Sequence, residues 1–230
     1  HLNFLKKKTL DEVINQKVGF LSNFTKIYVG KQKSSVLKKI KKRLKNNNSN
    51  IDYSHSWKLI KSKNNFYYRD KKNKLLLKSK YIHSKGLLIN LCLAIKIALD
   101  LKIPKKIILK TIPKIKYQGR LEYINKGKII KMINKNEKIL IDGCHSETSA
   151  RNLAEYLKTL NLPVYGIWGM TKNKNPDLFI KQFRGIFKKI FTVPIENETA
   201  ALPNTLLSRI AEKNDYRVES SNSFEQALKI

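Results

Sequence analysis

The sequence predicts an α/β protein whose second half is a Rossmann-like domain with a mostly parallel sheet. From residue 120 onward, strand-like and helix-like segments alternate regularly, which is typical of a parallel sheet covered by helices on both faces. Hydrophobic residues make up 41% of the 230 residues, which is enough for a packed core. Because the alternation starts abruptly, we place one domain at residues 1–112, a hinge at 113–119 and a second domain at 120–230.

The first domain shows a mixed pattern. Thr9 and Glu12 have the spacing of a capping box, which predicts a helix over residues 9–18. Further elements follow from apolar periodicity, from length and from turn residues. They are a strand at 26–29, a lysine-rich helix at 34–46, a hairpin turn at 70–73, a buried helix at 86–103 and a short helix at 105–112.

The second domain reads as alternating strands and helices. Its β-branched and aromatic runs predict strands at 120–124, 128–133, 138–142, 164–170, 189–195 and 216–220. Amphipathic segments between them predict helices at 149–160, 176–187, 202–213 and 223–228.

The chain is strongly basic, with a formal charge of +31 and 48 Lys and Arg residues against 17 Asp and Glu. Such a charge is typical of proteins that bind polyanions. However, only seven of the basic residues are Arg, the side chain best suited to phosphate. The lysines are spread over the whole chain, which favours a compositional bias over a selected nucleic-acid site.

The two cysteines, Cys92 and Cys144, lie far apart and form neither a disulfide framework nor a CxxC metal motif. The longest apolar run, "GLLINLCLAIKIAL", is interrupted by Asn90 and Lys96, and it is shorter than the roughly 20 residues needed to cross a bilayer. We therefore expect a cytoplasmic protein without a nucleic-acid or membrane partner.

The segment "KILIDGCHSETSARNLAEYLKTL" predicts a ligand site. Asp142 follows a short apolar strand, Gly143 is expected to permit a tight turn, and His145 comes just before an amphipathic helix. In open α/β sheets ligands bind beyond the carboxyl ends of strands, and helix N-termini attract anions. Taken alone, the pattern also fits a helix cap followed by an incidental histidine.

Further motifs at matching distances resemble the bifunctional folylpolyglutamate synthase/dihydrofolate synthase family of the Mur ligase superfamily. In the second domain they are Gly119-Arg120, the "DGCHS" turn at Asp142 and "GMTKNK" at Gly169. In the first domain they are "LNFLKKKTLDEVINQKVGFL" and "GLLINLCLAIKI". The resemblance covers residues 1 to about 175, and the remaining residues match only in the alternation of strands and helices.

The resemblance implies that residues 1–112 are the C-terminal part of the central ATPase domain and that 120–230 are the C-terminal domain. The chain departs from the family pattern at Gln16, Leu87 and Ser146. The family's phosphate loop, GxxGKGS, is missing from the sequence. We therefore expect a C-terminal portion of a longer enzyme, truncated at its end and inactive by itself.

The activity implied is ATP-dependent addition of L-glutamate to dihydropteroate or folate through an acyl phosphate, with ATP and Mg²⁺ as cofactors. By the resemblance, His1 ligates Mg²⁺, and Lys17 is carbamylated so that it helps to hold a second Mg²⁺. The expected partners are therefore small molecules, namely ATP, L-glutamate and the pteroate or folate substrate, and we expect a monomer.

The same resemblance implies four nucleotide-binding residues. Asn90 lies on the adenine side, Arg120 reaches the γ-phosphate when the C-terminal domain closes, Asp142 contacts the ribose, and His145 approaches the nucleotide. Lys17 and Arg120 are the expected catalytic residues. Two alternatives stay open at this point: a Mur-type peptidoglycan amino-acid ligase, and a basic protein that binds nucleic acid.

Overall fold

A computed structural model describes residues 9–21, 25–45, 50–79, 82 and 84–230. The described chain divides into two compact units. Unit 1 contains the residues up to 79 together with Gly86–Ile115, and unit 2 contains Lys116–Ile230 together with the described residues between 82 and 85. The division at Ile115 lies within the segment 113–119 that the sequence predicts as a hinge.

Unit 1 combines helices with two small sheets. Its elements are α1 (Leu10–Val18), β1 (Ile27–Val29), α2 (Ser34–Leu44), β2 (Ile51–Tyr53), β3 (Lys58–Ser62), β4 (Asn65–Arg69), β5 (Lys74–Leu76), α3 (Lys85–Asp100) and α4 (Lys105–Thr111). Strands β1 and β2 are parallel, whereas β3, β4 and β5 form an antiparallel sheet. The predicted turn at residues 70–73 joins β4 to β5, and Thr9 caps α1 as predicted by accepting a hydrogen bond from the Glu12 amide.

A charged network connects α3 to the parallel strands of unit 1. Asp100, at the end of α3, accepts hydrogen bonds from Lys26 at 2.8 Å, Tyr28 at 2.8 Å and Lys96 at 2.9 Å. Lys96 also pairs with Asp52 on β2 at 3.0 Å. Burial opposes ionisation of Asp100, but these donors outweigh it, with Lys26 the strongest, and lower the pKa of the carboxyl group to about 2.

Unit 2 has the predicted α/β alternation. Its elements are β6 (Glu122–Ile124), β7 (Ile139–Ile141), α5 (Glu147–Lys158), β8 (Val164–Trp168), α6 (Pro176–Ile180), β9 (Phe187–Thr192), α7 (Asn204–Glu212), β10 (Val218–Ser220) and α8 (Phe224–Lys229). Strands β8, β9 and β10 form a parallel sheet in the order β10-β9-β8. Strands β6 and β7 form a separate antiparallel pair. The α/β class with a parallel sheet is thereby confirmed.

Two predicted elements of unit 2 differ in the structure. Residues 128–133, predicted as a strand, contain a 3₁₀ helix at Ile129–Met132, which contacts α8 instead of extending a sheet. The predicted helix 176–187 is shorter, because a 3₁₀ turn at Lys181–Phe183 follows α6 and Phe187 already belongs to β9. In both cases tertiary packing overrides a local apolar pattern.

The core of unit 2 lies between the parallel sheet and helices α5, α6 and α7. Ile190 on β9 and Leu207 on α7 are fully buried there, and Trp168 stacks on Phe179 with ring centroids 5.8 Å apart. This core holds the parallel sheet against the three helices. None of the helices in the described residues combines the length and hydrophobicity needed to cross a bilayer.

Candidate functional site

Two turns of unit 2 come together at one end of the β6–β7 pair. Because these strands are antiparallel, with Glu122 opposite Ile141, the residues before β6 lie beside those that follow β7. Arg120 belongs to the first turn and Asp142 to the second. Two residues that are 22 positions apart in sequence therefore become neighbours. The sequence analysis expected Asp142 at the carboxyl end of a strand in a parallel sheet, whereas β7 belongs to an antiparallel pair.

The turn that carries Arg120 has an unusual backbone. Gly119 and Leu121, on either side of the arginine, have φ angles of +64° and +47°. The left-handed region suits glycine, but it costs an L-residue such as Leu121 roughly 1–2 kcal/mol. Leu121 is also 4% exposed, so its side chain is anchored in the unit. Such a conformation persists only where neighbouring groups hold it in place.

Hydrogen bonds hold the backbone of this turn. The Leu121 amide donates to Asp142 Oδ2 at 2.9 Å, and the Gly119 amide donates to Glu122 Oε2 at 2.8 Å. The Arg120 amide donates to the Tyr117 carbonyl at 3.2 Å. All three amide groups of the turn are therefore satisfied, two of them by carboxylates. Glu122 was missed by the sequence analysis, although it lies two residues after Arg120 in a chain with few acidic residues.

The second turn is joined to the first through Gly143, whose amide donates to the Gly119 carbonyl at 2.7 Å. The sequence analysis expected Gly143 to be the residue that permits a tight turn. A Cβ at this position would lie 3.4 Å from the Gly119 oxygen and 3.5 Å from Arg120 Nη1, which are ordinary contacts. The backbone conformation therefore favours glycine at Gly119, whose φ is left-handed, and not at Gly143.

The guanidinium group of Arg120 is accessible. Its side chain is 43% exposed, whereas that of Asp142 is 11% exposed, and Arg120 Nη1 lies 3.9 Å from Asp142 Oδ1. This distance is too long for a hydrogen bond. Arg120 therefore keeps most of its donors for an anionic ligand, while the nearby carboxylate limits where the side chain moves.

His145 and Ser146 form the start of α5. Ser146 caps the helix by accepting from the Ser149 amide at 3.3 Å, and Ser149 Oγ accepts from the amide of Ser146 at 3.0 Å. His145 Nδ1 lies 2.9 Å from the carbonyl oxygen of Gly143. Since a carbonyl only accepts, Nδ1 carries the proton in this contact, and Nε2 of the exposed ring is left as an acceptor.

Cys144 lies between Asp142 and His145 and is partly buried. Burial is the main factor that raises the pKa of its thiol to about 12, and the Asp142 carboxylate contributes in the same direction. The thiol therefore stays protonated at neutral pH. A protonated, partly buried thiol is a poor nucleophile.

The remaining predicted site residues belong to the first half of the chain. Lys17 is exposed in the last turn of α1, and Asn90 is exposed on α3. His1 lies outside the described residues. Within the described residues, no group of three His, Cys, Asp or Glu side chains is arranged to hold a metal ion. The structure thus brings together Arg120, Asp142 and His145, and the roles of all six residues stay predictions.

Unit 2 is thus a Rossmann-like α/β unit that exposes a guanidinium group on a turn held by hydrogen bonds. No protein-family profile matches the chain, and no curated protein sequence matches it. Comparison with solved structures identifies the fold more narrowly as that of the folylpolyglutamate synthases. The synthase from Thermotoga maritima superposes with a TM-score of 0.72 at 20% identity, over 93% of this chain and 51% of that one.

Two further neighbours show the same relationship. E. coli FolC in complex with DHPP and ADP has a TM-score of 0.74 at 15% identity, over 94% of this chain and 49% of that chain. The bifunctional synthase from Yersinia pestis, complexed with AMPPNP and a Mn ion, has a TM-score of 0.75 at 14% identity, over 94% and 49%. The resemblance predicted from the motifs is confirmed at the level of the fold, and the chain spans about half the length of these structures.

Proposed function

We propose that this chain forms the C-terminal portion of an ATP-dependent ligase that adds L-glutamate to dihydropteroate or folate. The observation that carries the proposal is the exposed Arg120 on a hydrogen-bonded left-handed turn beside Asp142. The synthase fold supports it, as do the nucleotides and the DHPP bound by two of the structural neighbours. The order of the sequence motifs places the chain in the C-terminal half.

In the proposed reaction a substrate carboxylate oxygen attacks the γ-phosphorus of ATP and ADP leaves, which gives an acyl phosphate. The amine of glutamate then attacks the acyl carbon, and inorganic phosphate leaves as the amide forms and the amine loses a proton. Phosphoryl transfer depends mainly on positioning and on neutralising charge on the transferred group. Arg120 supplies that charge through a planar, permanently ionised fork. Its contribution is largest in the transition state, where phosphate charge is redistributed.

Asp142 has two oxygens with different tasks in this proposal. Oδ2 stays with the Leu121 amide and maintains the turn. Oδ1 faces Arg120 at 3.9 Å, so the two side chains are neighbours, although the α- and β-phosphates separate the ribose of ATP from its γ-phosphate. Arg120 therefore turns away from Asp142 to reach the γ-phosphate. Asp142 Oδ1 is then left to accept a hydrogen bond from a ribose hydroxyl. His145 Nε2 offers a second acceptor near the nucleotide.

Mg²⁺ is part of the proposal through the resemblance. His1 would hold one ion and a carbamylated Lys17 would help to hold a second, and both ions would offset negative charge on the phosphates. Lys17 is exposed on α1 and thus accessible for carbamylation. Because the described residues contain no three-ligand cluster, the metal assignment depends on His1 and on substrate oxygens.

The proposal is tested by identifying the product that the protein makes. The protein encoded by the longest open reading frame that contains this chain is incubated with ATP, Mg²⁺, L-glutamate and a panel of acceptors. Mass spectrometry then detects the added residue. We expect one glutamyl unit on dihydropteroate or several on a folate, and none on UDP-muramyl acceptors. Transfer of an amino acid to a UDP-muramyl acceptor alone would overturn the folate assignment in favour of a peptidoglycan ligase.

A further inference from the structure

The turn that carries Arg120 is held by hydrogen bonds rather than by packing at its glycine. Among the described residues, and leaving aside the two chain neighbours, no atom lies within 4 Å of the position that a Cβ would take at Gly119. The residue nevertheless has a left-handed φ of +64°, and its amide donates to Glu122 Oε2 at 2.8 Å. With open space on one side, the backbone at Gly119 depends on this bond and on the bond from Gly143 to its carbonyl at 2.7 Å.

The acceptors at this turn are chemically distinctive. A neutral carbonyl would be enough to satisfy an amide, whereas a carboxylate makes a shorter and roughly twice as strong hydrogen bond. The chain has 17 Asp and Glu residues against 48 Lys and Arg, so carboxylates are scarce. Two of them nevertheless bind the amides on either side of Arg120. This arrangement fixes the backbone at Arg120, whose side chain is proposed to bind the γ-phosphate of ATP.

We propose that Glu122 is a positioning residue for Arg120. Its carboxylate holds the Gly119 amide, which sets the direction in which the Arg120 side chain leaves the turn, while Asp142 holds the other side through Leu121. Glu122 touches neither ATP nor the acceptor. The kinetic part of this inference rests on the function proposed above, whereas the structural part concerns this chain alone.

The structural part is tested by amide hydrogen exchange on the 230-residue chain. Glu122→Val keeps a residue suited to β6 but removes the acceptor, so exchange at the Gly119 amide should accelerate at least about tenfold as the hydrogen bond opens. Glu122→Gln retains a side-chain carbonyl and should restore most of the protection.

Glu137→Val is the matched control. Glu137 accepts a hydrogen bond from the Asn134 amide at 2.7 Å in another loop of unit 2. Its replacement should accelerate exchange at Asn134 and leave Gly119 unchanged. Unaltered protection of Gly119 in Glu122→Val would overturn the proposal.

The kinetic part is tested in the protein encoded by the longest open reading frame that contains this chain. Glu122→Val should lower kcat by on the order of 10- to 100-fold, as for a misplaced catalytic group, with the KM for ATP nearly unchanged. Glu122→Gln should recover kcat. In an Arg120→Ala background Glu122→Val should cause no further loss, because the residue acts through the arginine.

Two kinetic outcomes would count against the inference, and a third would count against the proposed function instead. An unchanged kcat in Glu122→Val, despite faster exchange at Gly119, would show that Glu122 is merely structural. An additive loss in the double variant would show that Glu122 acts independently of Arg120. If the unaltered polypeptide has no turnover with any acceptor, the proposed function fails, and the exchange result then decides alone whether Glu122 holds the turn.

Discussion

Leu121 shows how a single residue links the site to the core of unit 2. Its side chain is buried while its backbone adopts a left-handed conformation with a φ of +47°. The buried side chain fixes the position of the residue, and the bond from its amide to Asp142 stabilises the strained backbone. Arg120, the preceding residue, therefore projects from a rigid base toward solvent. Rigid placement lowers the entropic cost of engaging a phosphate.

Asp100 is a residue of unit 1 whose titration in the acid range affects stability. Lys26, which precedes β1, together with donors on α3 and β1, lowers the pKa of its carboxyl group from 3.8 to about 2. A lowered pKa in the folded state stabilises the protein above the unfolded value, and this stabilisation is lost as the pH falls from about 4 to about 2. At neutral pH it corresponds to about 2 kcal/mol.

We expect Asp100→Asn to lower the free energy of unfolding of unit 1 by about 2 kcal/mol at pH 7, and the difference from the unaltered chain should vanish toward pH 2. Urea unfolding in a Trp168→Phe background measures this, because Trp57 then reports on unit 1 alone. Asp11→Asn is the control, since it removes an exposed pair with Lys39 and should change stability by less than about 1 kcal/mol. A difference that persists at pH 2 would contradict the titration account.

At the scale of elements, the carboxyl end of β8 leaves little space beside β9. A Cβ at Gly169 would lie 2.9 Å from Ile195 Cγ1 and 3.2 Å from the Val193 carbonyl. Gly169 belongs to the "GMTKNK" motif that the sequence analysis matched to the synthases. The close approach gives a packing reason for glycine at this position, whatever the role of the motif in binding.

Gly169→Ala should destabilise unit 2 by roughly 1–3 kcal/mol, because the added methyl group overpacks the contact with Ile195. The measurement is urea unfolding in a Trp57→Phe background, where Trp168 reports on unit 2. Gly166→Ala on the same strand is the control, since its Cβ would meet the Phe187 ring at an ordinary 3.4 Å. Equal losses of stability in both variants would refute the overpacking argument.

Local signals predicted most of the elements but not all of their limits. The cap at Thr9, the turn at residues 70–73 and the β/α alternation after residue 120 are encoded by neighbouring residues, and each is present. The segment Ile129–Met132 was misjudged because its apolar residues suit either a strand or a helical turn, and its contact with α8 decides between them.

The candidate site was predictable in part for the same reason. Asp142 follows a strand and His145 precedes a helix, so both could be placed at a carboxyl end from local pattern. The role of Glu122 could not be, because its hydrogen bond to the Gly119 amide depends on the left-handed turn. The proximity of Arg120 and Asp142 likewise depends on the pairing of β6 with β7.

At the scale of the whole molecule, the chain couples a formal charge of +31 to a fold that the structural neighbours use with nucleotides. Diffuse lysines attract any polyanion, and such binding weakens steeply with salt. Arg120 differs from that background because its turn is fixed by two carboxylates. We therefore propose that this one arginine, held by hydrogen bonds to its turn, and not the overall charge, supports the proposed ATP-dependent ligation.

The most direct test of this proposal is to measure kcat for glutamate-dependent ADP release. The enzyme is the protein encoded by the longest open reading frame that contains this chain. Arg120→Ala should lower kcat by about 100-fold or more at saturating ATP, acceptor and glutamate, since it removes charge stabilisation made mainly in the transition state. Arg209→Ala removes the same charge from the exposed end of α7 and should leave kcat unchanged. An Arg120→Ala enzyme with the unaltered kcat, or equal losses in the two variants, would contradict the account.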